Sequence, residues 1–443
     1  CVKELGMFSS LHLSPDGKAI VTHVTASRGK FLAVLDAADH SLQRRYALND
    51  DDDVEWIRWA GNDKLLVSLS TLGSFFGDEV RYTRLLLLDM AAGTSDILGN
   101  DEPVVEGDDV IFIAEDGSYA LVSVQKDVRA YPSVYRYELA AGGKRWRVQD
   151  PRPGVWSWHA DSSGVVRLGT GWRLGRLRIY YRSGPDADLR LIEKLKADEI
   201  EDKFWDVAQI VSGSDHGHVL HEGPSGRVGL YIFDLSTREP VELVYEHPEH
   251  DVESVLFRDG KPVGAFFTDV RDRAHWLDAG YAETYAKLER SLTQNEIWVI
   301  SRAKDNSRML VRAGSEADPG LIYNYDVTGK RMEVLVEMRP EIDITHLAVP
   351  KPIAYTARDG TRVHGYLTLP RGREASGLPL IILPHGGPYG IRDKLDYDDQ
   401  VQLLANRGYA VLQPNFRGSG GYGQDFYDLG VGQIGRGLQA PFL

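Results

Sequence analysis

The sequence predicts a mainly β protein: a seven-bladed β-propeller over residues 1–345, followed by the N-terminal part of an α/β domain over residues 346–443. Three observations carry that prediction. A short polar turn recurs seven times at near-even spacing, an alternating apolar strand follows each turn in phase, and both signals stop near Pro350, where a different pattern begins.

The turns centre on Asp16, Asp63, Asp116, Ser163, Asp215, Asp259 and Asn306, spaced 44 to 53 residues apart. Several are Asx-Gly pairs, which suit tight hairpins because Gly and Asn tolerate positive φ. The strands that follow end on Asp36, Asp89, Glu138, Arg182, Asp234, Asp278 and Asp326, so an acidic residue closes six of the seven copies. Each unit reads as two strands around a turn and then a third, and period-2 runs such as Val134-Tyr135-Arg136-Tyr137 mark strands with one buried face. Units of ~40–50 residues with this strand content point to propeller blades, which bury their faces on neighbours and close into a ring. Between the sixth and seventh copies, Tyr281, Tyr285, Leu288 and Leu292 fall at helical spacing, predicting a helical insertion over residues 280–294 on the outside or bottom of the ring.

Composition bounds the function classes. The 443 residues carry a net charge of −14, which argues against a nucleic-acid or anionic-membrane partner needing a basic face. No apolar run approaches the ~18 residues of a membrane span; Leu85–Leu88 and Leu380–Leu383 are the longest candidates, so a soluble protein is expected, cytoplasmic or periplasmic. The single cysteine, Cys1, permits no intramolecular disulfide and no cysteine-based metal site. Lacking a first Met, the chain reads as processed or cloned, and Cys1 suits the lipid-modified first residue of a bacterial lipoprotein or a cloning scar.

After Pro350, Ile353–Thr356 and His364–Leu369 flank Asp359-Gly360 as a hairpin. Residues Leu380–Leu383 between Pro379 and Pro384 are apolar on both faces, as a buried central parallel strand would be. His385-Gly386-Gly387-Pro388 follows it, then a helix near Val401–Arg407 and a strand at Tyr409–Gln413. Hairpin, strand, Gly-rich loop, helix and strand is the opening of an α/β-hydrolase sheet.

With HGGP at 385–388, NFRGSGGYG at 415–423 and the preceding Tyr355–Gly360 and His364–Leu367 segments, the chain resembles the prolyl oligopeptidase family of serine peptidases, nearest to its acylaminoacyl-peptidase and dipeptidyl-aminopeptidase-like branch. The resemblance implies a propeller that caps an α/β-hydrolase domain and filters substrates by size, with Ser, Asp and His in the hydrolase domain and short peptides as substrates. It implies no cofactor and no metal. It assigns a backbone N–H of Gly386 or Gly387 to an oxyanion hole, makes His385 a loop-shaping residue rather than the catalytic base, and has Asn415 and Arg417 lock the loop beneath the site.

The nucleophile itself needs a G-x-S-x-G elbow, and no serine fits: Ser225 has Arg227 two after it, Ser419 has Arg417 two before it, and Ser214 lies between Ser212 and His216. No catalytic residue is therefore assigned, and the chain alone is expected to be inactive. The ending Gln439-Ala440-Pro441-Phe442-Leu443 departs from the family pattern, as a truncation, frameshift or proteolytic end would. An apolar strand left with an open edge invites aggregation or pairing, so this piece is expected to misfold, to dock on the propeller, or to meet a separate C-terminal catalytic chain as its partner. A non-catalytic propeller binding a peptide or protein, and an esterase-like hydrolase, are the competing functions.

Three patterns are set aside. Residues Gly418–Gly423 match G-x-G-x-x-G without room for a second βαβ strand. His247-Pro248-Glu249-His250-Asp251 lacks helical metal-ligand geometry, and Asp50–Asp53 lacks the glycine and spacing of a calcium loop.

Overall fold

The computed structural model describes residues 7–27, 29–75, 77–100, 104–140, 143–196, 205–293 and 296–435. Cys1 and the final Gln439–Leu443 segment lie outside the described residues.

Seven antiparallel sheets follow one another along the chain, each made of consecutive strands, and an eighth, mixed sheet comes last. Blade one runs through Met7–Leu13, Ala19–Ala26, Gly29–Asp36 and Leu42–Ala47. Blades two to five and seven repeat that order over residues 53–98, 106–149, 157–196, 205–245 and 296–337. Every recurring turn joins the first and second strands of its blade. Asp16, Asp116, Asp161 and Asp305 each accept the backbone N–H two residues on, through Oδ1, at 2.9–3.1 Å. In the fourth copy the bonding carboxylate is thus Asp161 rather than Ser163. Asp36, Asp89, Asp234 and Asp326 likewise accept backbone N–H groups where the third strand ends. The acidic closure is therefore an Asx turn, a side chain standing in for a backbone acceptor.

The sequence pattern underestimates the blade by one strand. Outer strands such as Leu42–Ala47 and Thr94–Leu98 are largely exposed and lack apolar alternation, because they bury little against a neighbour. Blade six has three strands, Val252–Arg258, Lys261–Thr268 and Asp272–Trp276, and then helix α1 (Ala279–Ser291) in place of a fourth. Asp278 caps α1 by accepting the Tyr281 N–H, and the buried face is Tyr281, Tyr285 and Leu288. Tyr285 lies 4.1 Å from Trp276 of blade six and accepts the Val299 N–H of blade seven, so α1 fills the wedge between them.

The ring closes without a shared sheet. Leu11, Leu13, Ile20, Phe31 and Leu35 of blade one pack with Leu310, Ile322, Leu335 and Val336 of blade seven in one apolar cluster. Asn324 Nδ2 donates to the Ala37 carbonyl at 2.6 Å, and the Leu13 N–H donates to Ser301 Oγ at 2.8 Å.

The C-terminal sheet contains β1 (Lys351–Thr356), β2 (Arg362–Thr368), β3 (Leu380–Ile382) and β4 (Ala410–Asn415), in spatial order β1-β2-β4-β3. The β1–β2 hairpin and the β2–β4 pair are antiparallel, whereas β3–β4 is parallel. Helix α2 (Asp399–Asn406) connects β3 to β4, buries Val401 and Ala405, and is capped by Asp398; a short α3 (Gln424–Asp428) follows the Gly-rich segment. One expectation is corrected here. Strand β3 is parallel and stands with the open edge expected of it, but it is not buried: Leu380 is 54% exposed. Apolar residues suited to a sheet interior stand at a boundary because no strand among the described residues pairs with β3 on that side.

The two parts meet on one turn. The Thr268–Asp272 turn of blade six receives Arg392 on the Thr268 and Asp269 carbonyls, the Leu395 N–H (2.7 Å) and the Tyr366 hydroxyl (3.0 Å) on the Val270 carbonyl, and Lys394 on Asp272. Gln402 of α2 adds bonds to the Ala348 backbone and the Glu316 carbonyl of blade seven.

Candidate functional site

Parallel strand β3 delivers the chain directly into His385-Gly386-Gly387-Pro388, and antiparallel-paired β4 delivers it into Asn415–Gly423. The two loops are zipped together by backbone bonds: the Gly390 N–H donates to the Gly418 carbonyl at 2.9 Å, and the Gly420 N–H to the Ile391 carbonyl at 3.0 Å. That closeness requires glycine, since a Cβ on Gly420 would stand 2.5 Å from the Gly390 oxygen. The glycines of the G-x-G-x-x-G match therefore serve chain packing.

Asn415 is fully buried and works as a piece of artificial strand. Its Oδ1 accepts the Asp393 N–H (2.8 Å), and its Nδ2 donates to the Asp393 carbonyl (2.9 Å) and the Tyr422 hydroxyl (2.8 Å). One side chain thus ties the end of β4 to both loops. Arg417, 3% exposed, reaches the Asp359 carboxylate in the β1–β2 turn. Arg392 lies over the Tyr422 ring at 4.3 Å and also bonds its hydroxyl, linking this loop pair to blade six.

His385 stacks on Phe416 at 4.3 Å, and its Nε2 lies 2.8 Å from Ser419 Oγ. That pair resembles a catalytic dyad by distance alone. Ser419, however, is fully buried, and its one proton lies between two acceptors, the Phe416 carbonyl at 2.6 Å and His385 Nε2. The neutral ring keeps its own N–H on Nδ1, toward the Gly386 carbonyl at 2.8 Å, and burial closes the hydroxyl to a substrate. Burial, followed by the nearby Arg392 charge, lowers the His385 pKa against the opposing pull of the Gly386 carbonyl. The residue sits here as a neutral spacer between the loops.

Gly386 and Gly387 lie in an open stretch of backbone. Neither backbone N–H donates a hydrogen bond among the described residues, and a Cβ on Gly386 would meet nothing within 4 Å. Gly387 has φ +126°, open to glycine alone among the common residues. Two unengaged donors at the carboxyl end of a parallel strand are what a developing oxyanion needs.

Sequence reasoning missed Asp393. Its carboxyl pKa is pushed up to about 6, first by burial and then by Asp398, while Gln413 opposes the rise. Its Oδ2 is buried with no partner. Only the fold brings these groups together, so no local motif could have pointed to it. Elsewhere, His247 Nδ1 accepts the Glu249 and His250 N–H groups at 3.1 Å, so the His-Pro-Glu-His segment is a capped turn stacked on Phe267. In the acidic run, Asp53 bonds Lys30 and Asp52 accepts from Asn49. Among the described residues, no group of three or more His, Cys, Asp or Glu could hold a metal ion. No helix there is long and apolar enough to cross a membrane.

Comparison with known proteins bears on the fold and the C-terminal segment. The model of the prolyl oligopeptidase family matches residues 395–440. Dipeptidyl aminopeptidase BIII of Pseudoxanthomonas mexicana is 26% identical over 445 residues, covering 96% of this chain and 61% of the relative. An uncharacterised peptidase of Bacillus subtilis is 40% identical over 90 residues, covering 20% of this chain and 14% of that protein. A solved prolyl endopeptidase structure covers the whole chain and 66% of its own, with TM-score 0.69 at 14% identity. A puromycin-hydrolysing peptidase of Mycobacterium tuberculosis covers 99% of the chain and 71% of its own, with TM-score 0.64 at 17% identity. The chain therefore spans about 61% of the length of the Pseudoxanthomonas relative. The fold is thus that of these solved structures, and residues 395–440 resemble the prolyl oligopeptidase family.

Proposed function

We propose that these residues form the propeller, up to residue 345, and the opening of the catalytic domain, from residue 346, of a serine peptidase acting on short peptides. The observation that carries the reading is the pair of unengaged N–H groups at Gly386 and Gly387, beside the loop pair that Asn415 ties to Asp393 and Arg417 to Asp359. In the complete catalytic site one of these donors would stabilise the tetrahedral oxyanion; such a donor is worth roughly 10²–10³ in kcat. His385, Asn415 and Arg417 position the loop and touch no substrate. The sequence contains no G-x-S-x-G, so the nucleophile and its Asp and His partners come from polypeptide outside these residues, continuous with them or separate. In the ring the substrate would be screened by size before reaching the site.

A fluorophosphonate, which bonds only to an activated serine, tests this. The 49.4 kDa chain should take no label by intact mass, and the protein that also includes a G-x-S-x-G elbow should take one per molecule. Labelling of the 49.4 kDa species, at Ser419 or elsewhere, would overturn the assignment. Absence of label and of peptide turnover in the longer protein would favour a ring that binds peptides without cleaving them. Comparing peptide with acyl-ester turnover separates a peptidase from an esterase.

A further inference from the structure

Blade four carries a row of cations that the fold does not explain. Across its strands Arg173 stands opposite Arg176, and Arg178 opposite Lys194. Residues directly opposite share a face, and like charges so placed destabilise a sheet. In a chain of net charge −14, a single acidic substitution would relieve them. Yet among the described residues Arg152, Arg173, Arg176 and Arg178 have no carboxylate partner, and Arg178 Nε is buried without any hydrogen bond. Such a group costs stability unless something supplies an acceptor.

A cavity of about 510 Å³ opens beside this row, between blades three and four, lined by Gln149, Asp150, Arg152, Arg173 and Tyr180. Asp150 does not neutralise it, being tied to Arg147 at 2.7 Å. Arg152 lies over the Tyr180 ring at 4.4 Å, which fixes the guanidinium plane and leaves its N–H edge available. Gly154, next in the chain to the lining residue Pro153, has a left-handed conformation (φ +91°), and a Cβ there would come within 3.0 Å of Arg173 Cβ and 3.2 Å of Arg178 Cδ. The Arg173–Arg176 turn joins the second and third strands of its blade, as Thr268–Asp272 does in blade six, so it lies at the ring end that faces the C-terminal sheet.

We propose that this cavity is a carboxylate subsite, in which Arg152 and Arg173 grip the C-terminal carboxylate of a short peptide while Arg178 backs them. The assignment rests on the peptide reading given above. Planar guanidinium forks match a carboxylate in bidentate fashion, so affinity and register come from the same contacts.

The test is calorimetric titration of the 443-residue chain at low ionic strength with Ala-Ala-Ala-Phe as free acid, with its C-terminal amide, and with inorganic phosphate. The free acid should bind about tenfold more tightly than the amide. Arg173→Ala, an exposed change, should bring the two within about twofold, and Arg173→Lys should recover part of the difference. Arg290→Gln, which removes one charge from distant α1, should leave the ratio unchanged. Equal binding of acid and amide overturns the subsite while leaving the peptide reading standing. Arg173-dependent binding of phosphate with neither peptide bound overturns the carboxylate assignment and weighs against the peptide reading too. No binding of any of the three overturns the subsite outright.

Discussion

The ring and the C-terminal sheet solve the same problem to different degrees. Every blade has its faces against neighbours, and even the junction of blades one and seven is filled by a continuous apolar cluster. The four-stranded C-terminal sheet has one helix between its parallel strands and ends on β3, an apolar edge strand with Leu380 54% exposed. It is held by polar contacts: the Thr268–Asp272 turn, the Gln402 bonds and the Asn415 amide. A closed repeat supplies its own partners, whereas an open sheet borrows them, and a free apolar edge is where the next strand belongs.

The largest expected effect lies in the ring. Arg167 is 1% exposed and joins blades four and five through Asp161 (3.1 Å), the Tyr181 hydroxyl (2.6 Å) and the Ser214 carbonyl (2.9 Å). Arg167→Ala leaves Asp161 buried and unpaired, so unfolding in urea should show a loss of about 3–5 kcal/mol. If the loss is under about 1 kcal/mol, the ring does not depend on this node.

Asn415→Ala should cost about 1–3 kcal/mol by leaving the buried Asp393 N–H and carbonyl unpaired, but locally. Hydrogen exchange should accelerate across residues 385–397 and 410–423 while the second strands of the blades keep their protection. Uniform acceleration would mean that the two regions unfold as one.

Asp393 sharpens the contrast through pH. Its folded pKa of about 6 lies above an unfolded value of about 3.9, so ionisation penalises the folded state. The penalty grows as pH rises from about 4 through about 6 and is constant above that. Asp393→Asn should therefore raise Tm at pH 7.5, and the gain should vanish near pH 4. A gain independent of pH would show that the carboxyl's titration is not its cause.

The smallest effect belongs to Arg339, whose partner Asp399 is exposed. Arg339→Ala should change stability by no more than about 1 kcal/mol, and less in high salt.

Legibility in the sequence follows how local each feature is. The seven turns were readable because an Asp bonding two residues ahead leaves a mark within a few positions, as at Asp16 and Asp116. The outer strands were not, since an exposed edge imposes no alternation. The HGGP and Gly-rich segments were visible as residues. Their zipper, the His385–Ser419 contact and the docking on Thr268–Asp272 join positions 28 to 125 apart, and only the fold brings them together. Strand β3 was readable as a parallel strand from its composition, yet composition reports the environment a strand suits, not the neighbours a given chain provides.

The most direct test of the contrast is native-state hydrogen exchange on the 443-residue chain. Second strands such as Ala19–Ala26 and Tyr119–Gln125 should exchange only by global unfolding, whereas Leu380–Ile382 and Ala410–Asn415 should exchange through a local opening roughly 100-fold more populated. Equal protection in both regions would contradict the account, since it would mean the C-terminal sheet is as self-sufficient as the ring.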